Sequence, residues 1–192
     1  MGKGRLEAFS DGVIAVIITI MVLELKAPHG TDLAALAPVA PALLTYVLSF
    51  VYVGIYWNNH HHMLHAAQHI DGRVLWANLH LLFWLSLVPF TTGWVGEYPR
   101  AAIPTAIYGG VFLMAGVAWL LLQDALVRRN GQDSLLARAV GRDLKGKLSA
   151  LLYASAILLA FLKVWIADAL FVLVAVIWFV PDRRIERSID PV

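Results

Sequence analysis

Long apolar segments constrain this chain more than any other feature of its sequence. Separated by short polar stretches, they occupy most of the 192 residues. A helix of about 20 apolar residues spans the ~30 Å hydrocarbon core of a bilayer, where only helices and closed barrels satisfy their own backbone groups. With 60% hydrophobic residues and a mean hydropathy of +0.72, the composition is typical of a membrane protein and not of a soluble domain.

The first four membrane spans can be read from these segments. Helix 1 is predicted from about Arg5 to Lys26, and the Pro28 and Gly30 that follow end it. Three further helices are predicted from the Pro38/Pro41 region to about Leu64, from about Arg73 to about Thr92, and from Ala101 to Leu126. Polar turns at His65–Arg73 and Gly93–Arg100 separate them. The long polar segment that follows is predicted to contain a short surface helix at Ser134–Val140.

The last apolar run, Leu148 to Val180, is interrupted only by Lys163 and Asp168. A single helix of that length would reach about 50 Å, which is too long for one ordinary span. We therefore predict a hairpin of two short helices that turns around Lys163–Asp168. The chain is then an all-α membrane protein with six transmembrane helices, and residues 1–192 form a single domain.

The basic residues predict an orientation for these six helices. With both termini in the cytoplasm, twelve of the Lys and Arg residues lie inside, and Lys26, Arg100 and Lys163 lie outside. This distribution follows the positive-inside rule. A five-helix chain would place the basic C-terminal tail outside, so the charges also favour the hairpin. We expect a multi-pass protein of the cell (inner) membrane.

Several classes of function are disfavoured by what the sequence lacks. Zero cysteines exclude disulfides, Cys-ligated zinc and iron–sulfur clusters. No G-x-S-x-G elbow, H-E-x-x-H or phosphate loop accompanies the Ser, His and Asp residues, so we do not expect an enzyme, a cofactor or a nucleic-acid partner. Helix 1 ends in Glu24 and Lys26 without a small-residue cleavage site, so it is expected to be retained and not removed as a signal peptide.

The sequence also limits the kind of ion path that the chain could form. Nothing resembles T-V-G-Y-G and no re-entrant loop is visible, so a ring of backbone carbonyls cannot be the filter. Helix side chains would have to line any path. One six-helix subunit has little room for a pore, so several copies would share one around a symmetry axis.

Helix 1 begins with polar residues whose presence requires an explanation, because ionisable groups at membrane depth are costly and usually functional. On a helical wheel, Asp11 projects almost opposite an apolar arc that contains a single hydroxyl. That arc has i, i+3, i+4, i+7 spacing and consists of Val16, Thr19, Ile20 and Leu23. The simpler interpretation is that Ser10 or Asp11 caps the helix and that the arc is ordinary packing.

The same residues carry a resemblance to a known family. Arg5, Phe9, Ser10 and Asp11 form R-x-x-x-F-S-D, followed by an apolar helix with Thr19 eight residues after the Asp. This pattern resembles bacterial members of the transmembrane protein 175 family, the lysosomal potassium channel. The W-N-N-H-H run at 57–61 is similar to the family's motif at the end of helix 2. Two further runs, N-L at 78–79 and L-V-P-F-T at 87–91, are similar to the family's pattern on helix 3. Beyond helix 3, only hydropathy and length carry the resemblance.

The resemblance implies a potassium-permeable cation channel with modest selectivity over sodium. It implies a homotetramer in the lipid bilayer, with four copies of helix 1 around a pore for monovalent cations. Carried over by position, the pore-lining residues are Val16, Thr19, Ile20 and Leu23. Apolar rings resist ions by dewetting, while a threonine ring helps a partly dehydrated cation. The family usually has Ile or Leu where Val16 stands, so the narrowest ring is either wider here or shifted toward Ile20 or Leu23. Glu24, near the outer mouth, either attracts cations, pairs with Lys26 or simply faces solvent.

The resemblance also implies a structural motif that holds helix 1 in place. Arg5, Phe9, Ser10 and Asp11 would form this latch, hydrogen-bonded to residues of helices 2 and 3. The expected partners are Trp57, either His60 or His61, and either Asn78 or His80. Such a network satisfies polar groups that hydrocarbon cannot.

A histidine cluster supports a second hypothesis. His60, His61, His62, His65 and His69 crowd the end of helix 2. The last three share one helical face, and imidazoles at that spacing can bind metal ions or haem iron. The chain would then be a histidine-dependent metal transporter or a haem-binding or metal-binding membrane protein. Because no carboxylate ligand set stands beside them, the imidazoles are better interpreted as neutral interfacial residues hydrogen-bonded to one another and to water, and no metal site is predicted.

Overall fold

The computed structural model describes residues 2–131, 133–134, 136–137 and 143–179. Within these residues the chain is helical and contains no strand. The elements are α1 (Lys3–Leu23), the 3-10 helix η1 (Leu33–Val39), α2 (Ala40–Ala66), α3 (Gly72–Ser86), α4 (Val88–Glu97), α5 (Ala102–Asn130), α6 (Leu144–Ala160) and α7 (Val164–Phe179). The predicted surface helix at 134–140 lies largely outside the described residues, and the basic tail from Pro181 lies entirely outside them.

The prediction of six transmembrane helices is confirmed, with α3 and α4 together forming the third. Four described helical segments are long and apolar enough to cross a membrane: Lys3–Leu23, Leu33–Ala66, Gly72–Glu97 and Ala102–Asn130. The other two, α6 and α7, have 17 and 16 residues and lengths of roughly 24–26 Å. They form the predicted hairpin. Its turn lies at Phe161–Lys163, so Asp168 is inside α7 and not in the turn.

The third span continues further than the sequence predicts. A turn is expected from Gly93, but α4 runs through Gly93 and Trp94 to Glu97. A glycine inside a helix costs only about 1 kcal/mol, which surrounding contacts offset. Gly96 shows such a contact, since a Cβ there would lie 3.0 Å from the Cα of Ala42 on α2. Pro89 stands in the first turn of α4, where its missing N–H has no helical partner to lose.

The centre of the bundle is aromatic and lies around α5. This helix packs against α3, α4, α6 and α7, while α1 packs against α2, α3 and α4. Phe112 of α5 contacts Tyr52 of α2 and Tyr108, with ring centroids 4.4 Å and 4.9 Å apart. Half of the most apolar stretch of α5 is buried, against 28% for α1 and 6% for the Leu33–Ala66 segment that contains α2. The first two membrane spans therefore lie at the outside of the described bundle, and each leaves one side uncovered.

Candidate functional site

One face of α1 is buried against α2, α3 and α4. It consists of residues at successive helical turns: Leu6, Ser10, Ile14, Ile17 and Met21. Because α1 begins at Lys3, both Ser10 and Asp11 lie well inside it, and neither caps the helix. The capping interpretation is therefore wrong. Ser10 is the one polar residue of this buried face, and it needs hydrogen-bond partners there.

Ser10 takes part in a directed chain of hydrogen bonds that joins three helices. The Asn78 Nδ2 of α3 donates to the Ser10 Oγ at 3.0 Å, and that hydroxyl donates to the carbonyl of Leu6 at 2.9 Å. Asn78 Oδ1 therefore faces the Nε2 of His60 on α2, 2.7 Å away, and that nitrogen must carry the proton. The side chains of Ser10, Asn78 and His60 are at most 2% exposed. Their bonds fix the rotation of α1 against α2 and α3.

Asp11 makes a separate contact at the surface of the chain. Trp57 Nε1 of α2 donates to Asp11 Oδ1 at 3.0 Å. The ring of Trp57 stacks on His61, with centroids 6.3 Å apart, and His61 stacks on His65 at 6.2 Å. All four side chains are exposed. The carboxylate thus contacts its own bundle, as the helical wheel predicts, but it does so at the edge and not in the buried network.

Two residues of the predicted latch and one of its expected partners lie apart from these bonds. Arg5 and Phe9 are exposed, and the Arg5 side chain makes no hydrogen bond or ion pair with any described residue. His80 accepts a bond from Trp84 Nε1 at 2.9 Å, one turn further along α3, and does not reach α1. The structure therefore links Ser10 to Asn78 and, through Asn78, to His60. It links Asp11 to Trp57.

Sequence reasoning missed a contact at the start of α1. Lys3 Nζ donates to the backbone carbonyl of His65 at 3.1 Å and lies 3.9 Å from Glu7 Oε1. The i, i+4 spacing of Lys3 and Glu7 was the available signal. The carbonyl partner could not be foreseen, because it depends on where α2 ends.

The opposite arc of α1 is uncovered in the single chain. Val16, Ile20 and Leu23 are 56%, 42% and 75% exposed, and Thr19 is also exposed. Thr19 Oγ1 donates its hydrogen to the Ala15 carbonyl at 2.9 Å. Its lone pairs therefore remain available as acceptors on the exposed side.

Glu24 stands at the C-terminal end of α1, four residues after Ile20. It is exposed, and no ion pair joins it to Lys26 or to any other described residue. Its carboxylate lies beside α4, where a Cβ at Gly93 would be 3.5 Å from Glu24 Oε2. Glu24 and Lys26 therefore do not form an ion pair. The Glu24 side chain extends the exposed arc of α1.

The histidines do not converge on one point. Among the described residues, no three His, Asp or Glu side chains are placed to hold a metal ion. His60 is hydrogen-bonded to Asn78, and the ring of His62 meets His61 edge-on, 5.5 Å away. The backbone of His69 is held by Asn130 of α5. The histidine hypothesis is therefore not favoured.

Comparison with known proteins identifies the family. Residues 5–89 match the family model described as endosomal/lysosomal potassium channel TMEM175. A protein from Chryseobacterium sp. named a potassium channel is 49% identical over 189 residues, which cover 98% of this chain and 98% of the relative. The chain belongs to the TMEM175 family.

Other TMEM175 relatives agree in sequence and fold. A protein from Chamaesiphon minutus, also named a potassium channel, is 31% identical over 179 residues, covering 85% of this chain and 87% of the relative. The crystal structure of a lysosomal potassium-selective channel TMEM175 homologue from Chamaesiphon minutus superposes with a TM-score of 0.79. It is 29% identical and covers 95% of this chain and 97% of that one. These relatives are channels and not enzymes, and this chain is a membrane protein of that potassium channel family.

Proposed function

We propose that this protein conducts potassium passively, with modest selectivity over sodium, through a pore shared by four copies of the chain and lined by α1. The observation that carries the proposal is the uncovered arc of α1 opposite its buried network. Among the described residues, the centre of the bundle is packed with aromatic side chains such as Phe112, whose ring centroid lies 4.4 Å from that of Tyr52. Ions would therefore pass between copies.

The chemistry of the arc fits a pore better than a lipid-facing surface. Val16, Ile20 and Leu23 would each appear once per subunit, as apolar rings that a hydrated cation crosses with difficulty. Thr19 supplies outward lone pairs within this stretch, and Glu24 continues the face with a carboxylate. A hydroxyl with free lone pairs and a carboxylate are both unfavourable in contact with hydrocarbon. The constriction would thus be made of side chains, without a carbonyl filter.

The remaining parts of the proposal concern the whole chain. Residues 1–192 act as one six-helix channel domain of the cell (inner) membrane, with both termini in the cytoplasm. The permeant potassium ion is its ligand, and no resident cofactor is required. The excess of Lys and Arg on the predicted cytoplasmic side supports this orientation. A reporter fused after Val192 should read cytoplasm, and a reading outside the cell would contradict the orientation.

The pore is tested by comparing two isoleucines of similar exposure. Ile20 on α1 is 42% exposed and Ile107 on α5 is 44% exposed. In liposomes with defined potassium and sodium gradients, Ile20→Asn should raise flux and reduce the preference for potassium, because a wetted ring no longer resists ions. Ile107→Asn should conduct like wild type. If Ile107→Asn altered selectivity and Ile20→Asn did not, α1 would not line the path.

A further inference from the structure

A long apolar groove runs between α2 and α7 and takes no part in the proposed pore. Its volume is about 590 Å³. Leu44 and Val47 of α2 line one wall, and Val172 and Phe179 of α7 line the other. All four side chains are exposed. In a membrane protein, a surface of this kind contacts either hydrocarbon chains or another protein chain.

A single carboxylate lies in this groove without a partner. Asp168 is half-buried, and it makes no hydrogen bond or ion pair with any described residue. Lys163, in the turn before α7, is exposed and does not pair with it. An ionisable group partly withdrawn from water in a membrane segment is costly when unpaired, and such groups usually have a specific partner. That partner is not supplied by the described part of the chain.

The dimensions of the groove fit one leaflet of a bilayer. Asp168 and Phe179, which both line it, are separated by roughly 16 Å along α7, about half of a ~30 Å hydrocarbon core. Asp168 lies near the end of the bundle where α5 and α7 begin. At that end Pro99 also lines the groove, and the next residue, Arg100, is exposed and has no ion pair with any described residue. Asp168 thus lies toward one end of an apolar groove, the end at which Pro99 lines it and Arg100 follows in the chain.

We propose that this groove binds a phospholipid with a primary-amine headgroup. The ammonium group would donate to Asp168, the phosphate would lie on the side of Arg100, and an acyl chain would follow α2 and α7. A primary ammonium has N–H donors that form charge-assisted hydrogen bonds with a carboxylate. A choline headgroup has no N–H donor, and a glycerol headgroup has no positive charge. The proposal does not depend on α1 lining a pore.

The experiment measures lipid that stays with the purified full-length protein. The chain is reconstituted in vesicles of phosphatidylethanolamine with phosphatidylglycerol, or of phosphatidylcholine with phosphatidylglycerol. It is then returned to detergent, and bound lipid per chain is counted by mass spectrometry. Wild type should retain phosphatidylethanolamine in preference to the other two lipids. Asp168→Asn should retain about tenfold less, the effect of losing one charge-assisted hydrogen bond.

Two matched controls separate a lipid site from general damage. Glu97→Gln removes an exposed carboxylate outside the groove and should retain lipid like wild type. Val172→Trp fills the groove and should displace the lipid, whereas Leu173→Trp changes the neighbouring exposed residue, which does not line the groove, and should not. Folding of all variants is checked by size-exclusion chromatography.

Three results would overturn the proposal. Equal retention of phosphatidylethanolamine by wild type and Asp168→Asn would show that the carboxylate does not bind the headgroup. Equal retention of phosphatidylcholine by wild type would show an unselective apolar surface. Because the chain has no cysteine, Leu44→Cys provides the third: efficient disulfide crosslinking between copies would show that a second chain covers the groove.

Discussion

The two faces of α1 differ in how their polar groups are satisfied. On the buried face, Ser10 is fully enclosed and its hydroxyl both accepts from Asn78 and donates to a carbonyl. On the opposite arc, Thr19 bonds only to its own helix and keeps its lone pairs outward. The first face holds the helix in one rotational setting, and that setting determines which residues the second face presents. A change on the buried face should therefore affect folding, and a change on the arc should affect conduction.

The largest effect on the buried face of α1 is expected from Asn78→Leu. The substitution leaves the His60 N–H and the Ser10 oxygen without partners in a buried site, at about 1–3 kcal/mol for each. We expect a lower thermal midpoint and a poor yield of assembled protein, measured by fluorescence melting and size-exclusion chromatography in detergent. Asn58→Leu is the control, since Asn58 is exposed on α2. Equal stability of the two variants would show that the buried network does not hold α1.

The helices were predictable from sequence because hydrocarbon imposes their length and composition. The 148–180 run had to be a hairpin, since no single helix of that length fits one span. The end of α4 was not predictable in the same way. Gly93 is a turn signal in isolation, and only its tertiary neighbours show that the helix continues. Local preference was overridden there by packing.

The latch shows a similar limit. Sequence left a choice between His60 and His61 and between Asn78 and His80, because all four lie near the same end of the bundle. Helix rotation decides the outcome. Asn78 faces the interior and donates to Ser10, and the buried His60 bonds to Asn78, while His61 is exposed. Whether the arc lines a pore depends on copies of the chain that no single-chain sequence pattern describes, so that assignment stays a prediction.

A smaller effect, on conduction alone, is expected from Thr19→Val. The change removes the one side-chain oxygen of the four-residue arc while keeping the shape of the side chain. A net hydrogen bond of about 1 kcal/mol corresponds to about fivefold in rate, so potassium flux should fall by roughly that factor. Liposome flux measures it, with melting temperature as the check on folding. The matched control is Thr45→Val on α2, whose hydroxyl likewise bonds only to its own helix. Unchanged flux in Thr19→Val would place the conduction path elsewhere.

The exposed residues of the latch, Arg5 and Asp11, should contribute less to stability than the buried Ser10. Asp11→Ala removes one hydrogen bond from Trp57 at the surface, where such contacts contribute about 1 kcal/mol or less. Arg5→Ala removes a side chain with no bond to any described residue and should be close to neutral in the isolated subunit. Melting temperatures should therefore decrease in the order Arg5→Ala, Asp11→Ala, Ser10→Ala. If Arg5→Ala were the most damaging, its partner would lie on another copy of the chain.

The smallest effect concerns Glu24, where the arc ends. An exposed carboxylate at the mouth of a pore attracts cations over a distance set by salt, about 30 Å at 0.01 M and 3 Å at 1 M. Glu24→Gln should therefore lower potassium flux by about twofold in dilute salt and have no effect in concentrated salt. Glu97→Gln, which removes a carboxylate from α4, is the charge control. Gly93→Ala should leave flux unchanged, because its Cβ would meet Glu24 at 3.5 Å, an ordinary contact distance. A salt-independent loss of flux in Glu24→Gln would mean that the carboxylate acts by holding α1 against α4 and not by attracting ions.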